Sequence, residues 1–102
     1  MNKLVENKRF EIAAICKKHN VNVLSVFGSA ASDAMHAQSD VDLLVSFSED
    51  IEAIDYSENY FSLLHKLELL FGKRVDLVSE KSLRNAVLIA EIERTKVQLY
   101  AA

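Results

Sequence analysis

The sequence predicts a single α/β domain, a small mixed β-sheet of three to four strands flanked by helices, and three observations support this. Two β-branched, apolar runs, Val21 to Phe27 and Val41 to Phe47, have the length of strands. A longer stretch, Tyr56 to Phe71, repeats its apolar residues at helical spacing and leads to a third short run, Arg74 to Val78. At 102 residues, with no proline, two glycines and no repeat or low-complexity linker, the chain offers no domain boundary, so residues 1–102 are expected to form one unit.

Taken in order, Lys3 to about His19 carries Val5, Ile12, Ile15 and Cys16 at roughly helical spacing, which predicts a helix stopped at Asn20. The strand Val21 to Phe27 ends at Gly28. Residues 28–39 are small and polar and are expected to form a loop holding one short helical turn. In the second strand Val41, Leu43, Val45 and Phe47 share one face, and Asp42, Leu44 and Ser46 share the other. Residues 48–54 are acidic and turn-like; Asp55 followed by Glu58 resembles a capping box and would open the long helix, which Gly72 closes. After the third strand, Ser79 or Ser82 is expected to cap a last helix running to about Arg94. Val97 to Tyr100 is left as a short extended or packed tail.

The bulk chemistry narrows the function. A net charge of −3 argues against non-specific nucleic-acid binding, which needs concentrated Lys and Arg, but not against a nucleotide held through a metal. The lone cysteine, Cys16, lies in a helix and is expected in the core. No stretch approaches 18 apolar residues and no signal-like segment opens the chain, so the expected location is the cytoplasm. His19, His36 and His65 have no metal-ligand spacing and are expected at or near the surface. Tyr56, Tyr60 and Phe61 read as helix packing rather than a base-stacking platform, and Lys81 and Arg84 as solvent-facing.

The chemistry concentrates in Gly28-Ser29, ten intervening residues, and Asp40-Val41-Asp42 at the head of a strand. Asp40 and Asp42, two apart, point the same way, and Asp76 sits in a similar run, Arg74-Val75-Asp76-Leu77-Val78. Two carboxylates about 6.5 Å apart repel by roughly 2–3 kcal/mol at an effective dielectric near 20, a cost that a purely structural role does not explain. One such Asp is ordinarily a solvated turn residue; three on a strand-rich core suit a hard dication such as Mg²⁺, held by carboxylates and substrate phosphates. Gly28 lets the backbone approach a phosphate without a Cβ, and Ser29 can donate to it. Lys73 and Arg74 could neutralise phosphate charge, or simply form a solvated edge after Gly72.

On these residues the chain resembles the minimal nucleotidyltransferases of the DNA polymerase β-like superfamily. The resemblance runs through Val23-Leu24-Ser25-Val26-Phe27-Gly28-Ser29, Ser39-Asp40-Val41-Asp42-Leu43-Leu44-Val45, the Asp76 strand and the ending Val97-Gln98-Leu99-Tyr100. It implies a polymerase β-like core. It also implies nucleotide contacts at Gly28, Ser29 and Ser39, metal binding and catalysis at Asp40, Asp42 and Asp76, one or two Mg²⁺ ions, and ATP as donor. Such proteins are commonly encoded beside a HEPN-domain toxin that they neutralise as antitoxin, some by moving AMP onto a toxin tyrosine; a complex with several copies of each is in keeping with this. One departure stands out: where the family carries Arg-Gly after Gly-Ser-x-Ala, this chain has Ser32 and Asp33. That departure motivates an alternative, an antitoxin that works by binding alone. A phosphoacceptor receiver domain fits less well, because three clear strands are too few and a late lysine strand is missing.

Overall fold

The computed structural model describes residues 3–32, 39–48 and 53–102. Its elements run α1 (Lys3–Glu6), α2 (Arg9–Lys18), β1 (Val21–Phe27), a 3-10 turn (Gly28–Ala31), β2 (Val41–Phe47), α3 (Ala53–Phe71), β3 (Val75–Ser79), a second 3-10 turn (Glu80–Ser82), α4 (Ala86–Thr95) and β4 (Val97–Ala101). The strands form one mixed, four-stranded sheet, as the sequence predicts, and their order is β3-β2-β1-β4. β1 pairs antiparallel with β2 and with β4, whereas β2 and β3 run parallel and are joined through α3, since a parallel pair needs a long crossover.

The apolar periodicities explain the layers. Val41, Leu43 and Val45 of β2, Leu24 and Val26 of β1 and Leu77 of β3 meet Ile12 and Cys16 of α2 and Leu63, Leu67 and Phe71 of α3 in one buried cluster. The opposite sheet face carries a smaller cluster of Phe27, Leu44 and Ile92, so α4 covers that face through a single fully buried residue.

Several expectations are corrected. The first helix breaks at Asn7–Lys8, where the Lys8 N–H turns to the Val5 carbonyl at 3.1 Å; Asn7 is a weak helix former, and Val5 and Ile12, on either side of the break, are both buried in the core. The long helix begins at Ala53, ahead of Asp55, so Asp55 is a first-turn acid facing the helix dipole and not its cap. Neither Ser79 nor Ser82 caps α4; Asn85 does, accepting from the Val87 and Leu88 N–H groups at 2.9 and 3.1 Å. Val97 to Tyr100 is no tail but an edge strand of the sheet. His19, only 7% exposed, is buried: its Nδ1 donates to the Ile15 carbonyl at 2.7 Å, and its Nε2 accepts from the Ser62 hydroxyl at 2.9 Å. Phe61, by contrast, is 63% exposed, while Tyr56 and Tyr60 pack as expected. His65, Lys81 and Arg84 are exposed; His36, Asp33 and most of the acidic turn at 49–54 lie outside the described residues.

Asn20 and Gly72 stop their helices as expected, with φ of 57° and 63°. Cys16 is buried, and burial pushes its thiol up to about 12. Among the described residues no helix is long and apolar enough to cross a membrane.

Candidate active site

Parallel pairing of β2 with β3 brings two of the three acids together. Asp42 and Asp76 are direct register partners, and the Val41 N–H to Arg74 carbonyl bond, 3.0 Å, sets that register at the strand ends. Neighbouring strands lie about 4.8 Å apart, and partners project to the same side of a sheet. Leu44, two residues beyond Asp42, sits in the cluster with Ile92, so the acids open on the α4 face, away from the main core. Asp40 precedes β2 and is exposed, as is Asp76; Asp42 is half-buried between them.

Electrostatics single out Asp42. Its carboxyl titrates above the usual carboxylate range, first because burial disfavours its charge and then because the Asp76 and Asp40 carboxylates repel it. Among the described residues no three carboxylate, thiol or imidazole groups are arranged to hold a metal ion. The donor chemistry nonetheless fits a hard dication: an all-oxygen set, one member of which is strained by its neighbours' charge.

Gly28 closes on this acid. Its φ is +66°, a backbone that favours glycine, and a Cβ there would lie 2.8 Å from Asp42 Oδ2 and push that carboxylate aside. The sequence predicts a phosphate contact at Gly28; the structure shows that the missing Cβ first makes room for Asp42. The Gly28 N–H is engaged by Thr95 Oγ1 at 3.2 Å. Ser29 is the second residue of the 3-10 turn, with its carbonyl accepting from the N–H and hydroxyl of Ser32 at 3.2 and 3.3 Å. Ser39 is placed beside the site by its carbonyl, which accepts from Lys73 Nζ at 3.4 Å. Lys73 therefore reaches the approach to Asp40, while Arg74 is exposed and contributes through its backbone.

Supporting residues were not legible as such in the sequence. Glu68 Oε2 accepts from the Val75 N–H at 3.0 Å, anchoring the start of β3 just before Asp76. Tyr60 donates its hydroxyl to the Leu77 carbonyl, and Tyr56 meets the Ser79 hydroxyl at 2.9 Å, so α3 grips β3 on both sides of Asp76. The Tyr60 phenol is pushed up by burial, then by the Asp76 charge and by Tyr56. A cleft lined by Ser25, Leu44, Ser46, Ile92, Glu93 and Lys96 lies farther along the same sheet face and does not include the acids.

Residues 11–102 match the family model described as "Polymerase beta, Nucleotidyltransferase". The chain belongs to the polymerase β nucleotidyltransferase family. It is thus an enzyme of the nucleotidyltransferase class, and its mixed four-stranded sheet is that family's fold. A relative in Methanocaldococcus jannaschii, MJ1379, provisionally named a protein adenylyltransferase, is 36% identical over 76 residues, covering 74% of each chain. The protein adenylyltransferase MntA of Thermococcus cleftensis is 37% identical over 71 residues, 70% of this chain and 68% of its own. Among solved structures, a toxin-antitoxin crystal structure with AMP-PNP superposes with a TM-score of 0.70 at 23% identity, covering 92% of this chain and 73% of that one. A tri-AMPylated Shewanella oneidensis HEPN toxin in complex with its MNT antitoxin gives a TM-score of 0.65 at 20% identity, covering 96% of this chain and 73% of that one. At these identities what the two structures show of this chain is its fold.

Proposed function

We propose that this nucleotidyltransferase is Mg²⁺-dependent, transfers AMP from ATP to a hydroxyl of a partner protein, and serves as antitoxin to a HEPN-domain toxin. The observation that carries the reading is the in-register Asp42–Asp76 pair with Gly28 pressed against Asp42 Oδ2. The names of the adenylyltransferase relatives support the protein acceptor, and the toxin-antitoxin neighbours support the partner.

In this reading Asp40, Asp42 and Asp76 hold the metal, and Gly28, Ser29 and Ser39 line the triphosphate. Bound Mg²⁺ would neutralise phosphate charge and acidify the attacking hydroxyl. Asp42, destabilised by burial and by its two neighbours, gains most from a cation, so apo-state repulsion becomes binding energy. Asp76 is exposed at the edge of the described sheet and open to an incoming hydroxyl, whose proton it takes as the oxygen attacks the α-phosphorus and pyrophosphate leaves. Ser29 supplies a hydroxyl to the phosphates, and Lys73, held at Ser39, adds positive charge nearby.

The deciding experiment incubates the chain with Mg²⁺, ATP labelled at the α-phosphate and the product of its neighbouring gene. Label on the partner, absent with Asp42→Asn, is the expected result; equal label with that variant would end the mechanism. The second reading, an antitoxin acting by binding alone, is favoured by Ser32 where the family carries Arg. It predicts a stable complex and neutralisation in cells by Asp42→Asn, without any label.

A further inference from the structure

The last turn of α4 is tied to the Gly-Ser turn by a side chain that the transfer reading leaves unused. Thr95 Oγ1 accepts from the Gly28 N–H at 3.2 Å and donates to the Glu91 carbonyl at 2.9 Å. The hydroxyl has one proton, and because the Glu91 carbonyl can only accept, that proton goes to Glu91 and a lone pair is left for Gly28. Glu91 lies one turn back in the same helix, so the acceptor is held at the end of a rigid element. That element is itself docked by Ile92, buried in a cluster with Phe27 and Leu44. Phe27 immediately precedes Gly28, and Leu44 shares a strand face with Asp42. The last turn of α4 thus engages β1, which leads into Gly28, and β2, which carries Asp42.

This contact sets the orientation of the peptide entering Gly28 from outside the motif. The setting is tight, because Gly28 has a left-handed backbone and lies so close to Asp42 Oδ2 that a Cβ would push the carboxylate aside. A small rotation of that peptide moves the whole Gly28–Ser29 turn relative to the carboxylate. The bond also commits the Gly28 N–H, so Gly28 lines a triphosphate by close backbone approach alone, and the hydrogen bonds to it fall to Ser29 and the rest of the turn.

We infer that Thr95 is a positioning residue for nucleoside triphosphate binding: its hydroxyl holds the Gly28–Ser29 turn in register with Asp42. The functional half of this inference rests on the proposed nucleotidyl transfer; the structural half rests on the hydrogen-bond chain alone.

Two variants of the full chain test it. Thr95→Val keeps the shape and removes the acceptor, and Thr95→Ser keeps the hydroxyl. Amide exchange at Gly28, with Leu24 and Val26 as strand controls, is read beside the Kd of AMP-PNP with Mg²⁺ at a temperature where both variants are folded. Thr95→Val is expected to speed Gly28 exchange about tenfold, leave the controls unchanged and weaken AMP-PNP about five- to tenfold, with Thr95→Ser within about twofold of wild type. Unchanged Gly28 exchange in Thr95→Val overturns the inference. So does faster exchange with unchanged AMP-PNP affinity, which would make the bond merely structural. If the wild-type chain binds no AMP-PNP, the proposed transfer fails and takes the functional half with it, while Gly28 exchange still decides whether Thr95 holds the turn.

Discussion

Gly28 and Gly72 share a positive φ, 66° and 63°, and differ in what a side chain would meet. At Gly72 nothing lies within 4 Å, so Gly72→Ala is expected to cost about 1 kcal/mol in urea unfolding and to leave transfer intact. At Gly28 the same backbone penalty is joined by a Cβ 2.8 Å from Asp42 Oδ2, so Gly28→Ala is expected to cost about 1–2 kcal/mol and, by displacing that carboxylate, to abolish transfer. Asp42 itself obeys the opposite logic. Its folded carboxyl titrates above its ordinary value of 3.8, so the folded state binds the proton more tightly than the unfolded state. The metal-free protein therefore loses stability as pH rises from about that value through the raised one. Asp42→Asn is expected to raise the metal-free Tm at neutral pH by about 3 °C, a gain that fades as pH falls through the raised value and is gone near 3.8. An unchanged or lowered Tm would mean that the three acids do not strain one another.

Among the elements, β3 shows how a two-sided grip is built from residues that look unremarkable in sequence. Glu68 holds its first N–H, Tyr60 the Leu77 carbonyl and Tyr56 the Ser79 hydroxyl, and all three come from α3. Tyr60→Phe removes one half-buried hydrogen bond and is expected to cost about 1 kcal/mol by denaturant unfolding, with transfer reduced because Asp76 lies beside the released carbonyl. α4 is anchored more lightly. Its cap Asn85 satisfies two N–H groups, so Asn85→Ala is expected to lower stability by about 1 kcal/mol while leaving AMP-PNP affinity nearly unchanged, since Ile92 and Thr95 secure the other end. The helix boundaries were the least legible feature. Asp55–Glu58 had the residues of a capping box, yet α3 starts two residues earlier; a lone Asn85 had no such pattern and is the true cap of α4.

At the scale of the whole molecule, the two sheet faces divide the work. One buries Ile12, Cys16, Leu43, Leu63 and Leu67 under α2 and α3; the other carries Asp42 and Asp76 and is covered by α4 through Ile92. Cys16 reports on the first. Fully buried, with its thiol pushed up to about 12, it is expected to resist disulfide-exchange reagents in native buffer and to react only as fast as the fold opens. Rapid labelling without loss of secondary structure would show that the α2–α3 layer opens by itself.

Strand composition, the Gly-Ser to Asp-x-Asp spacing and the Asp76 run were enough to determine the fold class and the family and to single out the three acids as candidates, because these are short-range patterns whose periodicity places side chains on known faces. The tertiary structure alone decided what those residues meet. That Asp42 opposes Asp76 depends on a parallel register set across the α3 crossover. That β4 joins the sheet, His19 is buried and Thr95 reaches Gly28, 67 positions earlier, depends on long-range packing. No local spacing encodes such contacts; they exist only once the sheet has brought distant strands within hydrogen-bonding distance.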